Sequence, residues 1–253
     1  MRTMSMRVIV GLLATSSLST AALTQERHLA IGAGVSYGPV FNGSTEYDVD
    51  PEPYIDARWG RYFINDIGVG ADIVSEWGAN ELTVGVAVFA GEGRDEADDI
   101  RLRGLGDIDT AIEAKLFAEA EFGPLEVEMV VAKDLGSGHE GTYLDISGTV
   151  EWELSRRFSI EVGPEVRIAD GSYTRAFYGI SPEQAARSGL PAFRASAGVV
   201  SGEMTVDLTY ALSDHWSVVG EVGVGMLFGD ASNSPVSQDD TYSSAGIGLV
   251  YRF

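Results

Sequence analysis

From Leu29 to Tyr37 the apolar side chains occupy every second position, Leu29, Ile31, Ala33, Val35 and Tyr37, with Ala30, Gly32, Gly34 and Ser36 between them. A period of two puts one set on each face of a β-strand, and a helix of period 3.6 cannot sort these residues onto one side. The register recurs in Leu82-Val84-Val86-Val88, in Ile112-Ala114-Leu116-Ala118-Ala120-Phe122, in Leu125-Val127-Met129-Val131 and in Leu144-Ile146-Gly148-Val150-Trp152-Leu154. It returns in Phe158-Ile160-Val162, in Met204-Val206-Leu208-Tyr210-Leu212, in Trp216-Val218-Gly220-Val222-Val224-Met226 and in the final Ala245-Ile247-Leu249-Tyr251-Phe253.

Such alternation has two solutions: a soluble sandwich with its apolar faces turned inward, or a membrane barrel with them turned to lipid. Sandwich strands average about 5–6 residues, whereas several of these windows run longer. They also carry aromatics near their ends (Trp59 and Phe63, Phe122, Trp152 and Phe158, Trp216 and Phe228, Tyr251 and Phe253), as interfacial girdles do. The other face is repeatedly acidic: Glu113, Glu119, Glu121, Glu126, Glu128, Asp145, Glu151, Glu153, Glu161 and Glu221. Burying so many carboxylates in a dry core would be prohibitive, and a hydrated lumen removes that cost. The pattern therefore predicts an all-β transmembrane antiparallel barrel of about 10–12 strands in meander order.

Residues 1–24 read as a cleaved Sec signal peptide: Arg2 and Arg7, the short apolar run Val8 to Ala14, then small polar residues, with cleavage between Ala22 and Thr24. That leaves 25–253 as a single barrel domain in the outer membrane, embedded in its lipid and inserted by the barrel-assembly machinery. With no Cys there is neither a lipid attachment point nor a disulfide. The net charge of −21 excludes nucleic acid as a partner, because phosphate binding needs clustered Lys and Arg.

Between the strands lie distinctive segments. They are GRDEADD at 93–99, GLGDID at 104–109, GHEGT at 138–142, the run 169–193 with its SGLPAF end, HW at 215–216, GDA and SPV within 229–236, and the terminal YRF. In that order they resemble the MipA/OmpV family (MltA-interacting protein and its relatives). The resemblance implies an outer-membrane barrel without enzymatic activity or cofactor that scaffolds a periplasmic lytic transglycosylase and a murein synthase. Other relatives imply adhesins or antigens, and a narrow cation-preferring pore is a further alternative. Tyr251 and Phe253 then form the barrel-assembly signal.

Partner-binding loops are expected around Arg94, Asp95, Glu96, Asp98, Asp99, Asp107, Asp109, His139, Glu140, Glu183 and Gln184. Of the three histidines, His139 beside Glu140 offers the least implausible acid–base pair, yet no nucleophile motif such as G-x-S-x-G accompanies it. The acids at 95–109 lack the spacing of a Ca²⁺ loop. With Arg94, Arg101 and Arg103 among them they read as an internal ion-pair network. Ser181, Pro182 and Gly189 mark the cap, first turn and stop of a short helix over 182–187.

Counting windows gives twelve strands, near 28–37, 51–60, 66–74, 80–89, 109–121, 124–133, 142–153, 157–168, 192–200, 202–212, 215–228 and 241–252. If the last strand ends in the periplasm, this count puts the long segments 90–108 and 169–191 on the periplasmic side, the reverse of the usual asymmetry. The alternative is that 192–212 forms one long bulged strand.

Overall fold

The computed structural model describes residues 27–77 and 80–253, so the expected signal peptide lies outside the described residues. The chain forms a closed antiparallel barrel in which each strand pairs with its sequence neighbours and the last pairs with the first. The first six strands are β1 (Arg27–Pro39), β2 (Tyr47–Trp59), β3 (Tyr62–Ile64), β4 (Val69–Trp77), β5 (Asn80–Ala90) and β6 (Ile112–Phe122). The second six are β7 (Leu125–Asp134), β8 (Thr142–Ser155), β9 (Phe158–Ala169), β10 (Gly198–Ala211), β11 (Trp216–Leu227) and β12 (Thr241–Arg252). Three short helices sit in the loops: α1 (Gly171–Tyr178), α2 (Pro182–Ser188) and α3 (Gly229–Asn233). No helix among the described residues is long and apolar enough to cross a membrane.

Alternation sorts the wall as the sequence predicts. Ile31, Val35, Ile73, Val86, Val224 and Ile247 point outward and are 43–66% exposed. They form the apolar band that a bilayer covers. Around the end where both termini lie, Trp59, Tyr62, Phe122, Trp152, Tyr210, Trp216 and Phe253 are exposed in a girdle. Phe63 departs from that expectation: it points inward, 3% exposed, and meets Phe117 edge-on at 5.6 Å between ring centroids. The register pairing Arg58 with Phe63 explains it, since Arg58 faces the lumen.

The strand count of twelve holds, but two of its components change. Residues 192–212 do not form two strands: β10 is a single strand with a bulge between Val199 and Ser201. The place thus vacated is filled by β3, three residues long and too short to leave a periodic signal. Parity between the loops and the C-terminus reverses in consequence. Every long connection (40–46, 91–111, 135–141, 170–197 and 228–240) lies at the end opposite the termini. At the terminal end the turns at 60–61, 123–124, 156–157 and 212–215 are short. The alternative of one bulged strand within 192–212 therefore holds, and the long segments lie at the end opposite the termini, the usual barrel asymmetry.

Candidate functional site

The long loops fold together into a lid over the loop end. Its apolar layer consists of Phe41, Leu102, Leu105, Ile180 and Val236, drawn from four different connections. Side chains of this size contribute about 1.5–3 kcal/mol each when fully buried. Hydrogen bonds tie the same loops: Ser44 Oγ donates to Asp99 Oδ2 at 2.6 Å, and Arg94 Nη1 donates to the Phe177 carbonyl at 2.5 Å. Gln184 Nε2 donates to the Leu105 carbonyl, Ser234 Oγ to that of Tyr178, and Arg101 to that of Pro235. Gly104 is required at the closest approach, with φ +84° and room for no Cβ, which would stand 2.8 Å from the Ser188 nitrogen.

The acidic residues at 95–109 build this lid from within. Glu96 Oε2 accepts the N–H groups of Gly104 and Gly106 at 2.9 and 3.0 Å, while Asp107 Oδ1 accepts that of Glu96. Asp98 accepts the Asp95 N–H, and buried Asp99 caps a 3₁₀ turn over Ile100–Leu102 through the Arg101 N–H. Asp109 and Asp95 stay exposed. Arg94 and Arg101 thus reach carbonyls of other loops, a wider role than the ion-pair network expected within the segment. Helix α2 carries the expected cap: Ser181 and Gln184 form a reciprocal capping box, and Gly189 closes the helix at φ +77°. Glu183 is exposed beside it, whereas Gln184 is spent on the cap and on Leu105.

Beneath the lid lies a polar cluster that sequence reading did not assemble. His139 is 3% exposed, and its partner is Glu113, not Glu140: Nε2 lies 3.1 Å from Glu113 Oε1. The N–H of Gly141 donates to Nδ1 at 3.0 Å. That fixes the neutral tautomer with its proton on Nε2. Tyr143 donates to the other Glu113 oxygen at 2.8 Å. Glu140 turns away with φ +53°, its carbonyl held by Lys133 Nζ. With both ring nitrogens engaged, His139 has no lone pair left for a substrate proton.

Next to this cluster Arg167 grips Asp145 through two parallel bonds of 2.8 Å and donates to Tyr173 Oη at 3.0 Å. Its guanidinium also lies 4.2 Å from the Tyr143 ring centroid. Burial pushes the Tyr173 phenol up to about 12 although Arg167 opposes the shift. Asp170 caps α1 and accepts from the Ser172, Tyr173 and Thr142 N–H groups. Burial would raise its pKa, but those three donors prevail and hold it below the usual range. Alternation alone places Glu113, Tyr143, Asp145 and Arg167 on one face; only the barrel register shows that they meet.

Below the cluster the lumen wall is acidic. Directly opposed pairs include Glu121 with Glu126, Glu119 with Glu128, Glu151 with Glu161, and Asp207 with both Glu161 and Glu221. Like charges in register oppose strand pairing, so the wall depends on hydration of its lumen face. Glu119, Glu121 and Glu126 each bring an oxygen within 4.8 Å of the others. Arg58 meets Asp72 at 2.8 Å on the same inner surface.

Residues 31–253 match the family model described as MltA-interacting protein MipA. A search of curated proteins returns no match. Among solved structures, the chain is similar to the NanC porin at 11% identity, covering 88% of this chain and 98% of that one with a TM-score of 0.45. It is similar to the KdgM porin at 12% identity, with 88% and 99% coverage and a TM-score of 0.44. It is also similar to OmpT of Vibrio cholerae at 8% identity, with 93% and 99% coverage and a TM-score of 0.41. At these values no activity is carried across.

Proposed function

The chain belongs to the MltA-interacting protein (MipA) family, and from that premise we propose that it is a non-enzymatic outer-membrane barrel that acts by binding proteins. Its partner is a murein hydrolase of the kind in the family name, met at the terminal end. A murein synthase is recruited to the same side. The lid faces the exterior. The observation that carries this reading is the contrast between the two ends. In a chain of net charge −21, exposed Arg27, Arg61, Arg156 and Arg157 stand at the short-turn end among exposed Glu76, Glu121, Glu153 and Asp214. The other mouth is filled by packed loops. Exposed arginines suit carboxylates on a partner surface and give salt-sensitive association. Exposed Phe253 and half-buried Tyr251, meeting edge-on with ring centroids 4.8 Å apart at that end, suit an assembly signal.

Binding of purified MltA-type transglycosylase to the immobilised full barrel tests this. Binding that weakens with salt and with the triple variant Arg61→Glu, Arg156→Glu, Arg157→Glu is expected. Absence of binding to the unaltered barrel retires the partner, and unchanged binding to the triple variant retires the arginine contact. The acidic wall favours a second reading, a cation-preferring pore, which the packed lid opposes. Steady single-channel conductance in a planar bilayer would move that reading to first place.

A further inference from the structure

On the outer face of the barrel wall charge is nearly absent. The chain has 38 Asp and Glu, yet alternation turns every carboxylate of the described strands inward. Among the described strand residues, the outward positions carry charge only at Arg27 and Lys133, and both are cations. Arg27 pairs with Trp59 at the terminal end, and Lys133 with Thr142 at the lid end. Lys133 continues the outward column Leu125-Val127-Met129-Val131 of β7, and exposed Leu135 follows it. Its register neighbours on either side, Ala114 and Thr142, are small.

A lipid-facing ammonium is tolerated where it reaches the headgroup layer or an anion. Lys133 makes no ion pair among the described residues; its Nζ donates to the uncharged Glu140 carbonyl at 2.7 Å. The ladder brings a second cation to the same place. Thr142, opposite Lys133, donates its N–H to Asp170 Oδ2 and accepts the Asp170 N–H at its carbonyl. Asp170 opens α1, and Arg175, one turn on, folds its guanidinium back over that start. Nη2 donates to Ser172 Oγ at 3.3 Å, and a Cβ at Gly171 would stand 2.7 Å from Nη1. Arg175 is exposed and likewise forms no ion pair among the described residues. Asp170, within electrostatic reach of Lys133, is already engaged by three N–H groups. Exposed Glu140 and Asp109 belong to the neighbouring loops.

We propose that Lys133 and Arg175 hold a phosphate of an anionic glycolipid in the leaflet at the lid end. A phosphate accepts from an ammonium and a guanidinium at once, and both cations lack a carboxylate partner of their own. Ile112, Val131 and Leu135, 57, 41 and 65% exposed, give its acyl chains a surface beside Lys133. The Thr142 hydroxyl and the exposed Glu140 carboxylate suit sugar hydroxyls next to the phosphate, which favours a phosphorylated sugar over a glycerol phosphodiester. A protein partner is a poorer occupant, because the column below Lys133 is wall that the bilayer covers. The site requires only that the barrel span a bilayer and does not rest on the hydrolase-binding reading.

The test titrates the folded barrel in neutral detergent with lipid A and follows the adducts by native mass spectrometry. Binding several-fold weaker is expected for Lys133→Gln with Arg175→Gln, and for lipid A stripped of its phosphates. Each single variant should fall between, and Lys133→Arg should bind as the unaltered barrel does. Gel mobility of the folded barrel checks that every variant folds. Binding unchanged in the double variant, or equal for the stripped lipid, would overturn the site. An equal loss in Arg103→Gln, which removes another exposed lid cation, would also overturn it by showing general charge attraction. Equal binding of phosphatidylglycerol would overturn the sugar assignment. Displacement by inorganic phosphate at the concentration of lipid A would show a site for the free anion and overturn the lipid.

Discussion

Glu113 accepts from two buried donors at once, His139 Nε2 at 3.1 Å and Tyr143 Oη at 2.8 Å, and so joins the loop at 135–141 to the inner wall. Replacing it with Ala leaves both donors without their acceptor in a site closed to bulk water. Glu113→Ala should cost about 2–4 kcal/mol, since each orphaned buried group costs about 1–3 kcal/mol. Glu113→Gln, which keeps one acceptor, should lose less. Urea unfolding followed by the mobility shift of folded barrel on gels reads this, and an unaffected midpoint in Glu113→Ala would show that the cluster bears no strain of closure.

Arg167 and Asp145 give a second test, because removing one member strands the other. Arg167→Met alone should destabilise by about 3–5 kcal/mol, whereas Arg167→Met with Asp145→Leu should recover much of that loss. Recovery will be incomplete, since Arg167 also donates to Tyr173. A double variant no better than the single ones would mean that Arg167 acts chiefly through Tyr173 and the Tyr143 ring.

Asp170 makes the lid acid-sensitive. Its carboxyl pKa is lowered in the folded chain despite burial, because three N–H groups donate to it. A lowered pKa contributes stability that is complete above the ordinary Asp value of about 3.9 and is lost as pH falls through the folded value. Protease resistance of the 170–197 loop should therefore decline below about pH 4. Asp170→Asn retains a capping oxygen and should flatten this dependence, while Asp170→Ala should cost about 0.5–2 kcal/mol at neutral pH. An unaltered acid profile in Asp170→Asn would place the sensitive group elsewhere.

How much of this was legible beforehand follows from the range of each signal. The period of two is local, so strands, facing and the acidic lumen could be read directly. The helix over 182–188 was also legible, since Ser181, Pro182 and Gly189 mark its ends within a few residues. β3 escaped because three residues hold barely one repeat, and the bulge at Val199 disguised one strand as two. Together the two left the count of twelve intact while reversing the side on which the loops fall, as the alternative of one bulged strand within 192–212 implies. The pairing of His139 with Glu113 spans 26 residues and depends on the register of β6 with β7, which no local pattern encodes. Pro51 and Pro53 were a visible signal of an edge, two residues apart in an otherwise regular strand.

Because parity places the long loops opposite the termini, single Cys at Asp95 and Glu183 should react with a membrane-impermeant maleimide on intact cells. Both positions are exposed on the lid, and no native thiol competes. Labelling only after the outer membrane is permeabilised would show the barrel inserted the other way and would bring the lid, not the arginines of the short-turn end, before periplasmic partners.

The two prolines of β2 make the last prediction. β3 pairs only with Ala57, Arg58 and Trp59, so residues 47–56 of β2 have β1 as their strand partner and none on the other side among the described residues. If they keep the open edge from pairing, Pro51→Val with Pro53→Val returns two N–H donors to a strand already flanked by exposed Val49 and Ile55. Val also favours extended backbone. The variant should fold, since both positions lie in regular strand and face outward, but it should self-associate more than the unaltered barrel when both are sedimented in detergent. Either single substitution restores one donor and should give an intermediate dimer fraction. Sedimentation that stays monomeric in the double variant would mean that the edge is guarded by something other than its missing donors, with the carboxylates at Asp48 and Asp50 as the next positions to neutralise.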